Sequence, residues 1–269
     1  MNQFALLYFA FLIMLNGCSH NNPIANVIGL SASSQKTQDE IIKTFNTLST
    51  SKANEIAQTK IVALKSSDTD ASVQWLEEYC DFNLFKSGDT NVAKTFLSSV
   101  AQDESLNEAQ DDAIQECLAA IDLWTQQKGK SEKVNADLSV AKSDMVLLRE
   151  KFAHNKAAAK KDPKLKNVLK NSSAYIRLNL NKKGPELAEA LLLLAEVAEN
   201  LDDPKLSPAE TMLLKKVIRD FHHSEFAESA YDQLFERVHF GYTGSSGDKT
   251  PMPIQEMLGR HRQLILKKQ

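Results

Sequence analysis

Glu77, Glu78 and Asp81 fall within one turn of a predicted helix, beside Trp75 and Tyr79. Carboxylates flanked by rings are the parts from which a glycosidase acid pair or a glycan-stacking face is built. Carboxylates one turn apart on an exposed helix are more often simply solvated, and that is the plainer reading of these three. The six histidines, His20, His154, His222, His223, His239 and His261, are scattered, and only His222-His223-Ser224-Glu225 forms a cluster. Adjacent side chains at a turn point in different directions, which suits capping or solvent better than metal binding. The chain has no HExxH, GxSxG or glycine-rich phosphate loop. The sequence therefore reads as a non-enzyme, with no metal and no cofactor.

The elements around these residues are helical. The chain has only 9 Gly and 7 Pro, and aromatics make up 7%. Residues that favour helices dominate the remainder. A formal net charge of −3 offers no electrostatic footprint for nucleic acid. The basic end, Arg260-His261-Arg262 with Lys267-Lys268, reads as a solvated helix terminus that could also touch anionic headgroups.

Helical spacing begins at Ile41, Phe45 and Leu48, with Thr37 as cap and Glu40 three residues on. Residues 59–64 are read as helix from context. Trp75, Leu76, Tyr79, Cys80, Asn83 and Leu84 make a core-facing stripe that ends at Ser87-Gly88-Asp89. A capping box is expected at Ser105-Leu106-Asn107-Glu108, ahead of Ala113, Cys117, Ile121 and Trp124. Val134, Leu138, Ala141, Met145, Leu148 and Phe152 keep a heptad phase. That face can pack within its own bundle, or it can contact a partner through Leu138, Met145 and Phe152. Asp162-Pro163 breaks the helix and is the expected boundary between two halves. In the second half, Ser207-Pro208-Ala209-Glu210 is the strongest helix-start signal.

The first residues place the protein. Phe4 to Leu15 is an uncharged run of twelve, well short of the roughly 20 residues of a spanning helix. Leu15-Asn16-Gly17-Cys18 follows, and it resembles the lipobox of bacterial lipoprotein signal peptides. The resemblance implies that Cys18 is lipidated and becomes the mature N-terminus. Ser19, where the family's inner-membrane retention signal is Asp, implies the outer membrane, with the body facing the periplasm. Cys80 and Cys117 then remain in a compartment that permits disulfides, either as a bonded pair or as two buried thiols.

Residues 214–231, from Leu214 through Phe221-His222-His223-Ser224 to Ala227 and Ala230, resemble a junction between tetratricopeptide-type repeats. A generic helix-turn-helix would carry the same residues. The expected fold is all-α: a helical bundle followed by a tetratricopeptide-like hairpin region. The expected organisation is a signal peptide (1–17), a flexible tether (18–38), a bundle (39–162), the hairpin region (163–240), and a flexible linker with a short last helix (241–269). The function expected is a membrane-tethered scaffold or accessory factor that binds envelope proteins in assembly or secretion. Two other readings are a regulator of an inner-membrane sensor, touching it through the heptad face, and a peptidoglycan or glycan binder using Trp75 and Tyr79.

Overall fold

The computed structural model describes residues 32–126, 137–201, 203–244 and 247–266. Cys18 and the lipobox, Val134, and Lys267-Lys268 lie outside these residues. The chain is all-α, as its composition predicts. Extended pairing among the described residues is confined to a two-residue antiparallel ladder, β1 (Thr243–Gly244) with β2 (Gly247–Asp248).

Helix α1 (Ala32–Thr47) begins inside the segment expected to be tether, so Thr37 and Glu40 lie in its interior and cap nothing. Helix α2 (Thr50–Leu64) includes the stretch assigned from context. Helix α3 (Thr69–Asp81) is capped by Asp68, whose carboxylate accepts from the Ala71 amide at 3.0 Å. It continues through a π-helical turn, Phe82–Lys86, and the chain reverses at Gly88, where φ is +70°. Glycine adopts that left-handed geometry without steric penalty. Helices α4 (Thr90–Val100) and α5 (Glu108–Gln126) follow.

A reciprocal capping box does open α5, displaced by two residues from its expected place. Asn107 Oδ1 accepts from the Gln110 amide at 3.1 Å, and Gln110 Oε1 accepts from the Asn107 amide at 3.2 Å. Ser105 is drawn away instead, donating to Asp103 at 2.7 Å.

The second half comprises α6 (Leu138–His154), α7 (Lys156–Lys160), α8 (Pro163–Asn179), α9 (Pro185–Asn200), α10 (Ala209–Asp220) and α11 (Glu225–Tyr242). Helix α12 (Met252–Leu266) closes the described chain. Asp137, Asn155 and Asp162 cap α6, α7 and α8 through their side chains. The helix-start signal at Ser207-Pro208-Ala209-Glu210 does open α10, but without a side-chain cap. Ser207 and Glu210 turn to Arg237 of α11, which donates to the Glu210 carboxylate and reaches Ser207.

Helix α3 is the axis of the first half, packing on α1, α2 and α5. Trp75 and Tyr79 are fully buried there, with Phe45 5.9 Å from the Trp75 ring and Phe96 5.4 Å from that of Tyr79. Helix α5 packs on α10, which joins the two halves. From α8 onward each helix packs on the next, and short loops make neighbours antiparallel. Helices α6, α9 and α11 also touch in sequence order, so they share a layer that covers α8 and α10. Helix α12 folds back onto α10 and α11.

Two expectations change here. Helix α6 packs on α8 and α9, so the break at Asp162-Pro163 ends a helix but falls inside a packed unit. The heptad face of α6 is the inward one: Leu138, Ala141, Met145 and Leu148 are buried, and Phe152 is half-buried against the core. Each large side chain buried this way contributes roughly 1.5–3 kcal/mol, so Leu138, Met145 and Phe152 serve the fold and are not an open partner contact.

Candidate functional site

Three helices bring charge into the interior with matched spacing. Helix α3 supplies Glu77, Glu78 and Asp81, and α10 answers with Lys215, Lys216 and Arg219 at the same i, i+1, i+4 offsets. Lys215 Nζ lies 2.8 Å from Glu77 Oε1 and 2.8 Å from Glu116 Oε2 of α5. Lys216 Nζ lies 2.7 Å from Asp81 and 2.7 Å from Asp220. Arg219 reaches Glu78 at 3.3 Å and Asp81 at 3.4 Å.

Burial pushes the Glu77 carboxyl up, but Lys215, His261 and Arg219 together outweigh it and hold the group at about 2. Burial acts against the Lys215 ammonium, and Glu116 with Glu77 reverses that, so it stays charged. Glu78 and Glu116 are raised by burial, which their cationic neighbours do not fully offset. These ion pairs make the acid triad part of a clamp between α3, α5 and α10.

Above this clamp lies a cavity of about 230 Å³ bounded by α3, α5, α10, α11 and α12. Apolar side chains form much of its wall, among them Val73, Ala113, Ile254 and Met257. Thr211 and Lys215 reach it from α10, while Asp112 and Tyr242 stand at its mouth. The Tyr242 hydroxyl donates toward Asp112 at 3.2 Å and Glu108 at 3.3 Å. Burial raises the Asp112 carboxyl, as do the neighbouring charges of Glu108 and Asp111. Arg237 is held by Glu210, whose carboxyl burial pushes up to about 7.

Arg260 and His261 of the basic end are not solvated as expected, whereas Arg262 is exposed. Arg260 is buried and pairs with Asp70 of α3. His261 is buried, with Nδ1 2.8 Å from the Met257 carbonyl oxygen and Nε2 unpartnered among the described residues. Burial lowers its pKa to about 4, so the ring is neutral and Nδ1 is the donor. Arg262 lies over the Tyr231 ring at 5.2 Å. His222 Nδ1 stands 3.0 Å from the Arg219 carbonyl oxygen, a capping contact and one of the two roles, capping or solvent, expected of it.

Cys80 and Cys117 face each other across α3 and α5 as buried free thiols. Cys80 Sγ lies 3.9 Å from the Cys117 carbonyl oxygen, and Cys117 Sγ lies 3.8 Å from that of Leu76. Burial and the neighbouring Cys117 thiol push the Cys80 thiol well up, which suppresses its reactive thiolate. Trp75 and Tyr79 are in the core and offer no ring to a glycan.

A second concavity, about 380 Å³, lies on the outer face of the α6–α9–α11 layer. Val146, Leu192, Leu193 and Phe226 form its floor. Its rim is built from ion pairs repeating every seven residues, Lys142–Glu189 at 2.8 Å and a two-pronged Arg149–Glu196 pair at 2.8 and 2.6 Å. Val146 of α6 stays exposed on this side. On α6 the groove lies along the flank of the heptad stripe, where Lys142, Val146 and Arg149 recur at helical spacing.

Comparison of the chain with family models, with curated proteins and with solved structures finds no match.

Proposed function

We propose that the chain is a lipid-anchored envelope protein, tethered through Cys18 to the periplasmic face of the outer membrane, whose helical body binds another protein. The observation that carries the binding half of this reading is the apolar groove between α6, α9 and α11. Its floor suits the apolar stripe of an amphipathic helix, and its rim, cationic on α6 and anionic on α9, matches a helix with opposite charges on its two flanks. Scattered apolar residues are ordinary on a surface, but aliphatics lining one groove mark an interaction site. The tetratricopeptide-type kinship of the α10–α11 hairpin is part of the proposal, supported by the fully buried Ala227 and Ala230 that let its helices approach closely.

The anchoring half rests on the lipobox. No helix among the described residues is long and apolar enough to cross a membrane. Lipidation adds about 0.8 kcal/mol per buried methylene, so two or more chains give a stable tether.

Metabolic labelling with a clickable palmitate analogue, followed by membrane fractionation, tests the anchor. Wild type is labelled and sediments with outer membrane, whereas Cys18→Ser is unlabelled. Labelling of Cys18→Ser, or release of the wild type as a soluble periplasmic protein, would refute the tether.

A further inference from the structure

Helix α12 closes one side of the cavity of about 230 Å³, with Ile254 and Met257 against the space. Val73 of α3, Ala113 of α5, Thr211 of α10 and Val238 of α11 form other walls. Helix α3 packs on α5, and α5 on α10, without help from α12. Helix α12 rests on α10 and α11 and is joined to α11 through residues 243–251. Lifting it would therefore open the cavity and leave the remaining helices packed. The seat of α12 is partly polar. Met257, Leu258 and Ile265 are buried, but so are Arg260 and His261. Arg260 is answered by Asp70 of α3. His261 is only 3% exposed. Its Nδ1 donates to the Met257 carbonyl oxygen of its own helix, and its buried Nε2 has no partner among the described residues. A neutral ring leaves Nε2 a bare acceptor. Protonation turns it into a charged donor with nothing to receive its proton, which is the costlier case.

The charged groups around the ring are already committed elsewhere. From α3, Glu77 lies 2.8 Å from Lys215 and 4.0 Å from Arg219, and Asp70 is taken by Arg260. From α10, Lys215 repels a further cation, as does Arg260 from α12 itself. From α11, Tyr231 and Asp232 face Arg262 instead. Burial, with the repulsion of Lys215 and Arg260, outweighs the pull of Glu77 and the Met257 carbonyl and holds the ring at about 4.

We propose that α12 is a proton-released latch: protonation of His261 at Nε2 unseats the helix and opens the cavity, while the rest of the bundle stays folded. The released ring meets water, which supplies the acceptor that its seat lacks. Seated, the ring takes its proton only near pH 4, and released it does so at an ordinary pKa of about 6.5. Release is therefore about thirtyfold more favoured at pH 5 than at about pH 7.5. The latch rests neither on the lipid anchor nor on the groove of the α6–α9–α11 layer, and it stands or falls apart from both.

Native-state amide hydrogen exchange, read by mass spectrometry on the full chain in detergent micelles, tests this at about pH 7.5 and about pH 5. Each rate is divided by its intrinsic value at that pH. Protection of α12 should fall about thirtyfold on acidification, and that of α9 by less than about threefold. His261→Gln, neutral at both pH values, should hold α12 protection level within about threefold. Peroxide oxidation of Met257, which lines the cavity, should quicken at the lower pH, with the fully buried Met145 unchanged. Equal protection of α12 at both pH values, a parallel loss in α9, Met257 oxidation no faster in acid, or the same fall in His261→Gln would overturn the proposal. All but the last are read on wild type alone, so a variant that fails to fold leaves the test intact.

Discussion

Lys215 of α10 stands 2.8 Å from Glu77 of α3, and both side chains are more than nine-tenths buried. Glu116 of α5 meets the same ammonium, so one lysine ties three helices that are distant in sequence. Such a pair is weak evidence for net stabilisation, because desolvation offsets much of the attraction. Removing one partner is another matter. Lys215→Met strips Glu116 of its ion pair, leaves Glu77 only Arg219 at 4.0 Å, and is expected to cost about 3–5 kcal/mol in urea denaturation. Adding Glu77→Gln and Glu116→Gln should recover a large part of that loss. A loss under about 1 kcal/mol for Lys215→Met would mean that the clamp is not formed.

His261 makes stability depend on pH. The unfolded chain binds its imidazole proton at an ordinary pKa of about 6.5, and the folded chain only below about 4. Its contribution is therefore whole above pH 6.5 and declines toward pH 4, by up to about 1.4 kcal/mol per unit. Glu210, raised to about 7, acts in the opposite direction between about 4.5 and 7, so the readout is a difference against His261→Gln. Wild type should lose stability relative to that variant as pH falls from 6.5 to 4.5. A pH-independent difference would place His261 in solvent.

The interior acids show what sequence could and could not reveal. The offsets of Glu77, Glu78 and Asp81 recur in Lys215, Lys216 and Arg219, a complementarity visible in the sequence once the two segments are compared. Either segment alone looks like a solvated face, because helical periodicity says nothing about which distant helix will cover it. Helix positions and the inward stripe at Trp75, Tyr79 and Cys80 followed from local spacing. The cap of α5 was displaced by two residues because Asn107 with Gln110 competes with Ser105 and Glu108 for the same first turn. The cavity was not legible, since five helices from both halves build it.

The two cysteines yield a separate prediction. Both thiols are buried, and burial leaves Cys80 little thiolate, so native protein should resist maleimide, and both Cys80 and Cys117 should label in denaturant without reductant. Labelling of neither under those conditions would establish a disulfide between them.

The two faces of α6 should respond oppositely to charge. Met145→Asp places a carboxylate in the core and is expected to cost at least about 3 kcal/mol. Val146→Glu, at a position 52% exposed, should change stability by no more than about 0.5 kcal/mol. Equal effects would mean that the inward and outward faces are misassigned.

Photocrosslinking from position 146 in intact cells tests the binding claim most directly. A photoreactive residue replacing Val146 should give a discrete adduct with another protein, while the same residue at the exposed Lys52, far from the groove, should not. No adduct from 146, or the same adducts from both positions, would contradict a protein-binding groove on the α6–α9–α11 layer.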